Sequence, residues 1–195
     1  MNALPFTAQL INVFAAVLLL LSFAMLAQRR ILSLVDLLAW QGAALVGSTL
    51  AVAYSTGQQH LYFSAALTLA LKVILVPLVL HRLIRRLAVR WDTEPLLNIP
   101  ATMIVGLALV VFSFGLAQPI SALASTVTRS TLGIAIAVVM LSFLMMITRR
   151  KAISQVIGFL AMENGLFFAA TSATYGMPMV VELGVALDVL VGVVI

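Results

Sequence analysis

The chain has 195 residues, of which 64% are hydrophobic and 9% are charged, and its formal net charge is +5. Soluble domains carry about 25% charged residues, so this composition excludes a soluble enzyme and predicts an integral membrane protein of the all-α class. The sequence contains no cysteine, which excludes a disulfide, an iron–sulfur cluster or thiol chemistry in this chain.

Seven apolar segments are long enough to span a membrane, which takes about 20 mostly apolar residues. They comprise residues 6–27, 31–54, 60–81, 99–118, 131–148, 153–174 and 178–195. Pro100 falls in the first turn of the fourth segment, where a proline is tolerated. Pro77 lies inside the third segment, and we expect it to kink that helix or to loosen its backbone pairing. The sequence thus predicts a single polytopic transmembrane domain over residues 1–195.

The basic residues between these segments indicate the orientation of the chain. Nine of the ten lysines and arginines outside the spans lie on one side, and Arg129 lies on the other. The nine are Arg29, Arg30, Arg82, Arg85, Arg86, Arg90, Arg149, Arg150 and Lys151. Cytoplasmic loops carry such an excess of positive charge, whereas a nucleic-acid-binding surface would carry one continuous basic stripe. We therefore expect a protein of the cytoplasmic (inner) membrane with its N-terminus outside.

Residues 82–98 follow the third segment and continue from basic residues into Trp91, Asp92 and Glu94. Two interpretations stay open for them: a short surface helix on the cytoplasmic side, or a solvated loop with an interfacial tryptophan.

Polar side chains occupy the midpoints of four apolar segments: Gln41, Lys72, Glu163 and Asp188. At a rise of about 1.5 Å per residue, all four fall near the midplane of a hydrocarbon core about 30 Å thick. An ionisable group at that depth costs roughly 2.5 to 3.5 kcal/mol. We therefore expect Lys72 and the two carboxylates to form a charged row that moves protons or ions.

Each of these residues also has a structural alternative. Glu163 and Asp188 could hold helices together as buried polar contacts, and Lys72 could be the counter-ion of one of them. Gln41 could line a hydrated path or serve as a hydrogen-bonding core residue. Glu182, about 6 Å below the outer surface by helical rise, is either an exit-side group or simply solvated.

Three titratable residues near the membrane surfaces complete the set. Asp36 is predicted to form a surface ion pair with Arg29 or Arg30. His60 and His81 lie at opposite ends of the third segment, roughly 30 Å apart by helical rise, so they cannot ligate one haem together.

An internal repeat is also indicated, because one order of features occurs twice. A basic pair, a helix with a polar midpoint, a short outer loop and a second helix with a polar midpoint appear in residues 6–82 and again in 131–195. Residues 99–118 would be an extra helix that restores the orientation of the second unit. Parallel repeats of this kind are known in transport proteins.

Three stretches of the sequence point to a known family: Ile157–Gly165, Val181–Asp188 and Leu71–Leu78. They resemble the hydrogenase-4 component E family. That family supplies a small membrane subunit to group 4 membrane-bound nickel–iron hydrogenase and formate hydrogenlyase complexes. The last three predicted helices also resemble subunit K of complex I and its Mrp antiporter counterpart.

The resemblance to subunit K is uneven at its two midmembrane glutamates. Asp188 matches the second of them. The first would fall at Leu160, about one turn before Glu163, so this carboxylate is displaced from the subunit K position.

The resemblance implies a noncatalytic subunit that carries part of a midmembrane proton path and holds no cofactor. The nickel–iron centre and the iron–sulfur clusters are expected in partner subunits. The implied partners are antiporter-like membrane subunits, the membrane anchor of a soluble hydrogenase arm and the lipid bilayer, with no nucleic acid. Because family members continue into a basic tail, we also expect a C-terminal continuation beyond Ile195.

Two alternative functions stay open. The first is a component of a Mrp-type cation/proton antiporter or of another complex-I-like assembly. The second is a structural spacer whose buried charges only fix the register of the helices.

Overall fold

A computed structural model of the protein describes residues 6–86, 97–121 and 126–174. These residues form helices joined by short connections. The helices are α1 (Phe6–Ala27), α2 (Ile31–Thr56), α3 (Gln59–Thr68), a π-helical segment (Leu69–Leu75), α4 (Val76–Arg86), α5 (Ile99–Ser121), α6 (Thr126–Thr148) and α7 (Ala152–Thr174).

Six helical spans in the described part of the chain are long and apolar enough to cross a membrane. The third is one continuous run, Gln59–Arg86, made of α3, the π segment and α4. These spans coincide with the first six predicted segments, and the largest differences, five residues, occur at the end of the third span and the start of α6. The prediction of an all-α polytopic membrane protein is therefore confirmed.

Other sequence-based predictions fall wholly or partly on residues outside the described ranges. They concern the seventh span at 178–195, the possible surface helix near Trp91, and part of each proposed repeat unit. The internal repeat stays a prediction.

The connection between α2 and α3 is a two-residue turn that makes these helices antiparallel neighbours. Gly57 ends α2 with a φ of 67°, and its N–H donates to the carbonyl oxygen of Ala53 at 2.9 Å. Glycine suits this left-handed position because it has no Cβ to clash with the backbone.

The third span leaves α-helical geometry just before Pro77. Proline has no N–H to donate, and its ring clashes with the carbonyl group four residues earlier in a regular α-helix. The preceding seven residues, Leu69–Leu75, adopt the wider π-helical pairing instead. The prediction that Pro77 loosens the backbone pairing of this helix is confirmed.

One end of the bundle, here called the basic end, contains the α1–α2 and α6–α7 connections. Arg149, in the second of these connections, is only 2% exposed. Its Nη2 donates to the carbonyl oxygens of Met25, Leu26 and Gln28 at 3.3, 2.8 and 2.8 Å. These carbonyls lie at the C-terminus of α1, where the helix dipole favours a cation. Arg149 therefore ties the two connections together.

Two apolar clusters form the core, one above the other along the bundle axis. The cluster nearer the α2–α3 turn includes Ile11, Ala15, Leu18, Ala44, Leu45, Val52, Leu61, Val138, Phe167 and Phe168. The cluster nearer the basic end includes Met25, Leu26, Leu34, Leu38, Leu80, Ile84, Leu141, Met145, Ile157 and Leu160. Five spans contribute to both clusters. Four of them, α1, α2, the third span and α7, carry a buried polar residue at the level between the clusters.

Candidate functional site

The polar level between the two apolar clusters consists of five buried side chains, here called the polar layer. They are Ser22 on α1, Gln41 on α2, Lys72 in the π segment, and Glu163 and Asn164 on α7. All five are at most 6% exposed. Buried polar groups in a bilayer must find partners inside the protein, so their mutual contacts define the site.

The charged part of the layer is an ion pair between Lys72 and Glu163. The Lys72 Nζ lies 3.4 Å from Glu163 Oε1, and the two side chains are 6% and 8% exposed. The same ammonium group lies 5.6 Å from the centroid of the Phe167 ring, within the range of a cation–π contact. The opposite charge of Glu163 therefore offsets part of the cost of burying Lys72.

The neutral part of the layer is a chain of hydrogen bonds that starts at the ammonium group. Lys72 Nζ donates to Asn164 Oδ1 at 3.0 Å, and Asn164 Nδ2 donates to Gln41 Oε1 at 3.2 Å. Gln41 Nε2 donates to Ser22 Oγ at 3.0 Å. The Ser22 hydroxyl in turn donates to the carbonyl oxygen of Leu18 at 2.9 Å.

All of these hydrogen bonds run in one direction, away from Lys72. A lysine ammonium group can only donate, so it fixes the oxygen of Asn164 toward itself. The amide nitrogen of Asn164 must then face Gln41, and the same logic orients Gln41 toward Ser22. The charge on Lys72 therefore sets the orientations of two amides, on α7 and α2, and the chain of hydrogen bonds continues to α1.

Close approach of α2 to the π segment makes this geometry possible. A Cβ added at Gly42 would lie 3.3 Å from the Cβ of Lys72 and 3.4 Å from Cγ2 of Val73. The hydrogen at this position lets the backbone of α2 approach Lys72 directly beside Gln41.

A small cavity adjoins the charged pair on the side of the basic end. Its lining includes Leu38, Lys72, Val76, Leu160 and Asn164, and its volume is about 10 Å³. This is close to the smallest volume that holds one water molecule. Lys72 thus borders this cavity as well as its protein partners.

The structure brings together three of the five predicted site residues, Gln41, Lys72 and Glu163. Glu182 and Asp188 lie outside the described residues, so their place in the site stays a prediction. Glu163 supplies a carboxylate that meets Lys72. Leu160, about one turn earlier on α7, lines the cavity beside Lys72.

Sequence reasoning missed two members of the layer, Ser22 and Asn164. Serine and asparagine occur so often as packing residues in apolar helices that their types alone carried no signal. A usable signal was the adjacency of Asn164 to Glu163, since two polar residues at one depth in an apolar helix need partners on two sides.

The predicted partner of Asp36 was wrong. Its Oδ1 lies 3.8 Å from Nε2 of His81, so among the described residues it contacts this histidine rather than Arg29 or Arg30. His81 Nδ1 lies 3.0 Å from the carbonyl oxygen of Pro77. The antiparallel packing of α2 against α4 brings the two side chains together, whereas the arginines lie in the preceding connection.

Residues 6–86, 97–121 and 126–174 contain no group of three or more His, Asp or Glu residues placed to hold a metal ion. The expectation that this chain carries no cofactor stays a prediction.

This arrangement defines a polytopic helical membrane protein with an ion pair buried between two apolar core layers. An uncharacterized protein of Mycobacterium tuberculosis is 34% identical to it over 187 residues, which cover 95% of this chain and 85% of that protein. Hydrogenase-4 component E of Escherichia coli is 28% identical over 139 residues, covering 71% of this chain and 63% of that protein. Hydrogenase-4 component E of Shigella flexneri shows the same identity and coverage.

The chain belongs to one family with the uncharacterized mycobacterial protein, and it is similar to hydrogenase-4 component E. The resemblance noted from the sequence is thus confirmed, over slightly less than two thirds of the length of the named component E proteins. No family model matches the chain. No solved structure matches it either.

Proposed function

We propose that this chain is a noncatalytic membrane subunit of a complex-I-like nickel–iron hydrogenase or formate hydrogenlyase. In this proposal the ion pair of Lys72 and Glu163 carries part of the proton-translocation path. The observation that carries it is the 3.4 Å contact between these two side chains at the level between the apolar cores. Similarity to hydrogenase-4 component E supports the assignment to a hydrogenase complex.

Proton exchange in this site is confined to the charged pair. Lysine and glutamate both change protonation state, whereas the amides of Gln41 and Asn164 do not titrate. The amides instead hold the ammonium group in place and stabilise its charge. A proton that arrives at Glu163 neutralises the carboxylate and removes the Coulomb attraction on Lys72. The pair thereby links protonation of one residue to the energy of charge on the other.

Buried charges can also serve only to fix helix register, and the two roles predict different behaviour. A register role predicts that loss of Glu163 reduces the amount of assembled complex but leaves normal coupling in what remains. A translocation role predicts assembled complex in which the redox reaction continues but moves fewer protons.

The test is Glu163→Gln in the assembled complex in native membranes. Glutamine retains the size of glutamate and its acceptor oxygen but cannot titrate. We expect the number of protons translocated per hydrogen formed to fall at least several-fold, while assembly, judged from the co-purified nickel–iron subunit, is retained. An unchanged ratio in an assembled Glu163→Gln complex would refute the translocation role.

Thr171→Val is the matched control for this test. Thr171 is a buried polar residue on the same helix, but its hydroxyl donates to its own helix, to the carbonyl oxygen of Phe167 at 3.0 Å. We expect this variant to translocate protons like the parent complex. Failure of the parent chain to co-purify with a nickel–iron subunit would instead favour the Mrp-type alternative.

A further inference from the structure

Three exposed aromatic residues in the described part of the chain carry a polar atom, and they lie at different depths. Tyr54 and Tyr62 are 77% and 45% exposed and lie within one helical turn of the α2–α3 connection. Tyrosine at that level is typical of the aromatic belt at a membrane surface, where its hydroxyl group meets water. Trp40 is 67% exposed but lies about 14 Å from the start of α2 and about 24 Å from its end. The aromatic belt therefore does not explain Trp40.

The indole N–H of Trp40 needs an acceptor at this depth. An indole group can only donate a hydrogen bond, and this one has no hydrogen-bond partner among the described residues. Lipid tails offer no acceptor, so an unpaired N–H in the hydrocarbon region carries a cost. A neighbouring protein that supplies an oxygen atom would remove this cost.

A groove between α1 and α2, here called the Trp40 groove, adjoins the indole ring. Its volume is about 270 Å³, and it is lined by Phe14, Val17, Leu21, Trp40, Ala43 and Ala44. By helical rise these residues lie about 9 to 20 Å from the basic end, which is the middle of a hydrocarbon core about 30 Å thick. Small-molecule sites begin at about 300 Å³, so the groove suits a side chain of a neighbouring helix better than an organic ligand.

The Trp40 groove lies beside the neutral end of the polar layer. Gln41 directly follows Trp40, and Ser22 directly follows the groove-lining Leu21. The hydrogen bond from Gln41 Nε2 to Ser22 Oγ, 3.0 Å long, joins α1 to α2 at this level. The chain of hydrogen bonds that starts at Lys72 therefore ends beside the groove.

A second copy of this chain does not supply what the groove lacks. A symmetric dimer pairs the same surface of both copies. Two Trp40 residues would then face each other, and each can only donate. The other lining side chains are those of phenylalanine, valine, leucine and alanine, which have no acceptor. The occupant must therefore differ from this chain.

We propose that the Trp40 groove receives a transmembrane helix of another subunit. That helix places a side-chain oxygen against the indole N–H of Trp40 and an apolar side chain in the groove. Polar side chains that bond across helices are a common means of association in membranes. The inference rests on the proposed function only for the complex to which this second subunit belongs.

Cross-linking within the assembled complex in native membranes tests which molecule fills the groove. The full chain carries the photoreactive residue p-benzoylphenylalanine in place of Leu21, and mass spectrometry identifies the products. The matched control carries it in place of Leu20, which is 68% exposed and does not line the groove. We expect position 21 to cross-link several-fold more than position 20 to a transmembrane segment of one stoichiometric membrane subunit.

Three outcomes of this test would overturn the proposal: cross-linking of position 21 to lipid, cross-linking to a second copy of this chain, or equal cross-linking at both positions. Loss of assembly at position 21 alone would support it, because lipid tails would yield to the larger side chain whereas a packed helix would not.

Trp40→Phe tests the hydrogen bond, since phenylalanine keeps an aromatic ring but has no N–H. We expect the dissociation constant of this chain from the complex in mild detergent to rise about three- to tenfold, as for other hydrogen bonds between membrane helices. Tyr54→Phe removes a polar atom at the membrane surface and should leave the dissociation constant unchanged. Neither variant should alter unfolding of the chain by itself, because both side chains are exposed. Unchanged dissociation of Trp40→Phe, or destabilisation of the chain by itself, would refute the docking role.

The same experiments separate this inference from the proposed function. Cross-linking of position 21 to a membrane subunit in a complex without a nickel–iron subunit would support the groove as a docking site and refute the proposed function. Cross-linking to lipid alone, in a complex that contains the nickel–iron subunit, would refute the docking site and leave the proposed function in place.

Discussion

The ion pair makes a quantitative prediction about the stability of the bundle. Two unit charges 3.4 Å apart attract by about 5 kcal/mol at an effective dielectric constant of about 20. Removing one partner leaves the other charge buried and uncompensated, which costs about 3 to 5 kcal/mol for pairs of this kind. We therefore expect Lys72→Met and Glu163→Gln each to lower the free energy of unfolding by about 3 kcal/mol.

The double variant distinguishes a true pair from two independent buried residues. If Lys72 and Glu163 interact, Lys72→Met/Glu163→Gln should lose about 3 kcal/mol rather than about 6, a coupling energy of about 3 kcal/mol. The expected coupling energy is smaller than the Coulomb attraction between the two charges, because Asn164 still accepts a hydrogen bond from Lys72 when Glu163 is replaced.

Equilibrium unfolding of the purified chain in mixed micelles measures these energies, with helical circular dichroism as the signal. A second cycle, of Lys72→Met with Thr171→Val, is the control. The two changes in free energy of unfolding should be additive there, since Thr171 bonds within its own helix. Additive losses in the Lys72 and Glu163 cycle, with a coupling energy below about 0.5 kcal/mol, would refute the ion pair as a source of stability.

Three further predictions concern the neutral layer, the basic end and the orientation. Gln41→Leu leaves the amide N–H of Asn164 without its acceptor. The free energy of unfolding measured in mixed micelles should therefore fall by about 1 to 3 kcal/mol. Arg149→Met removes the donor that caps α1 and should lower the free energy of unfolding by about 3 kcal/mol. Replacing the exposed neighbour, in Arg150→Met, should change the free energy of unfolding by less than about 0.5 kcal/mol. In single-cysteine variants, Gln59→Cys should react with an impermeant maleimide added outside the cell. Arg86→Cys should react only after the membrane is opened, and the reverse pattern would overturn the predicted orientation.

The sequence allowed the depth of the site to be predicted, because depth depends only on position along a helix of known rise. Gln41, Lys72 and Glu163 were expected near one level, and the structure brings them together. Which side chains face each other depends instead on the rotation of each helix about its axis. That rotation is set by packing between helices, and no local pattern in the sequence specifies it.

The residues that were missed or misassigned illustrate this limit. Arg149 was counted as a loop residue that indicates topology, yet it is buried against the end of α1 because two connections meet at the basic end. Asn164 was missed because its partners, Lys72 and Gln41, lie on other helices.

The π segment lets two buried residues of the third span point to nearly the same side of the helix axis, which a regular α-helix would not allow. Lys72 on its polar buried face and Ile84 on its apolar buried face are twelve residues apart. At about 100° per residue, an unbroken α-helix would place them about 120° apart around the axis. A π-helical turn takes up one extra residue, which reduces the difference to about 20°. The span can therefore place Lys72 against Glu163 and, at the same time, Ile84 in the apolar core near the basic end. Pro77 favours this geometry because it cannot donate the α-helical hydrogen bond.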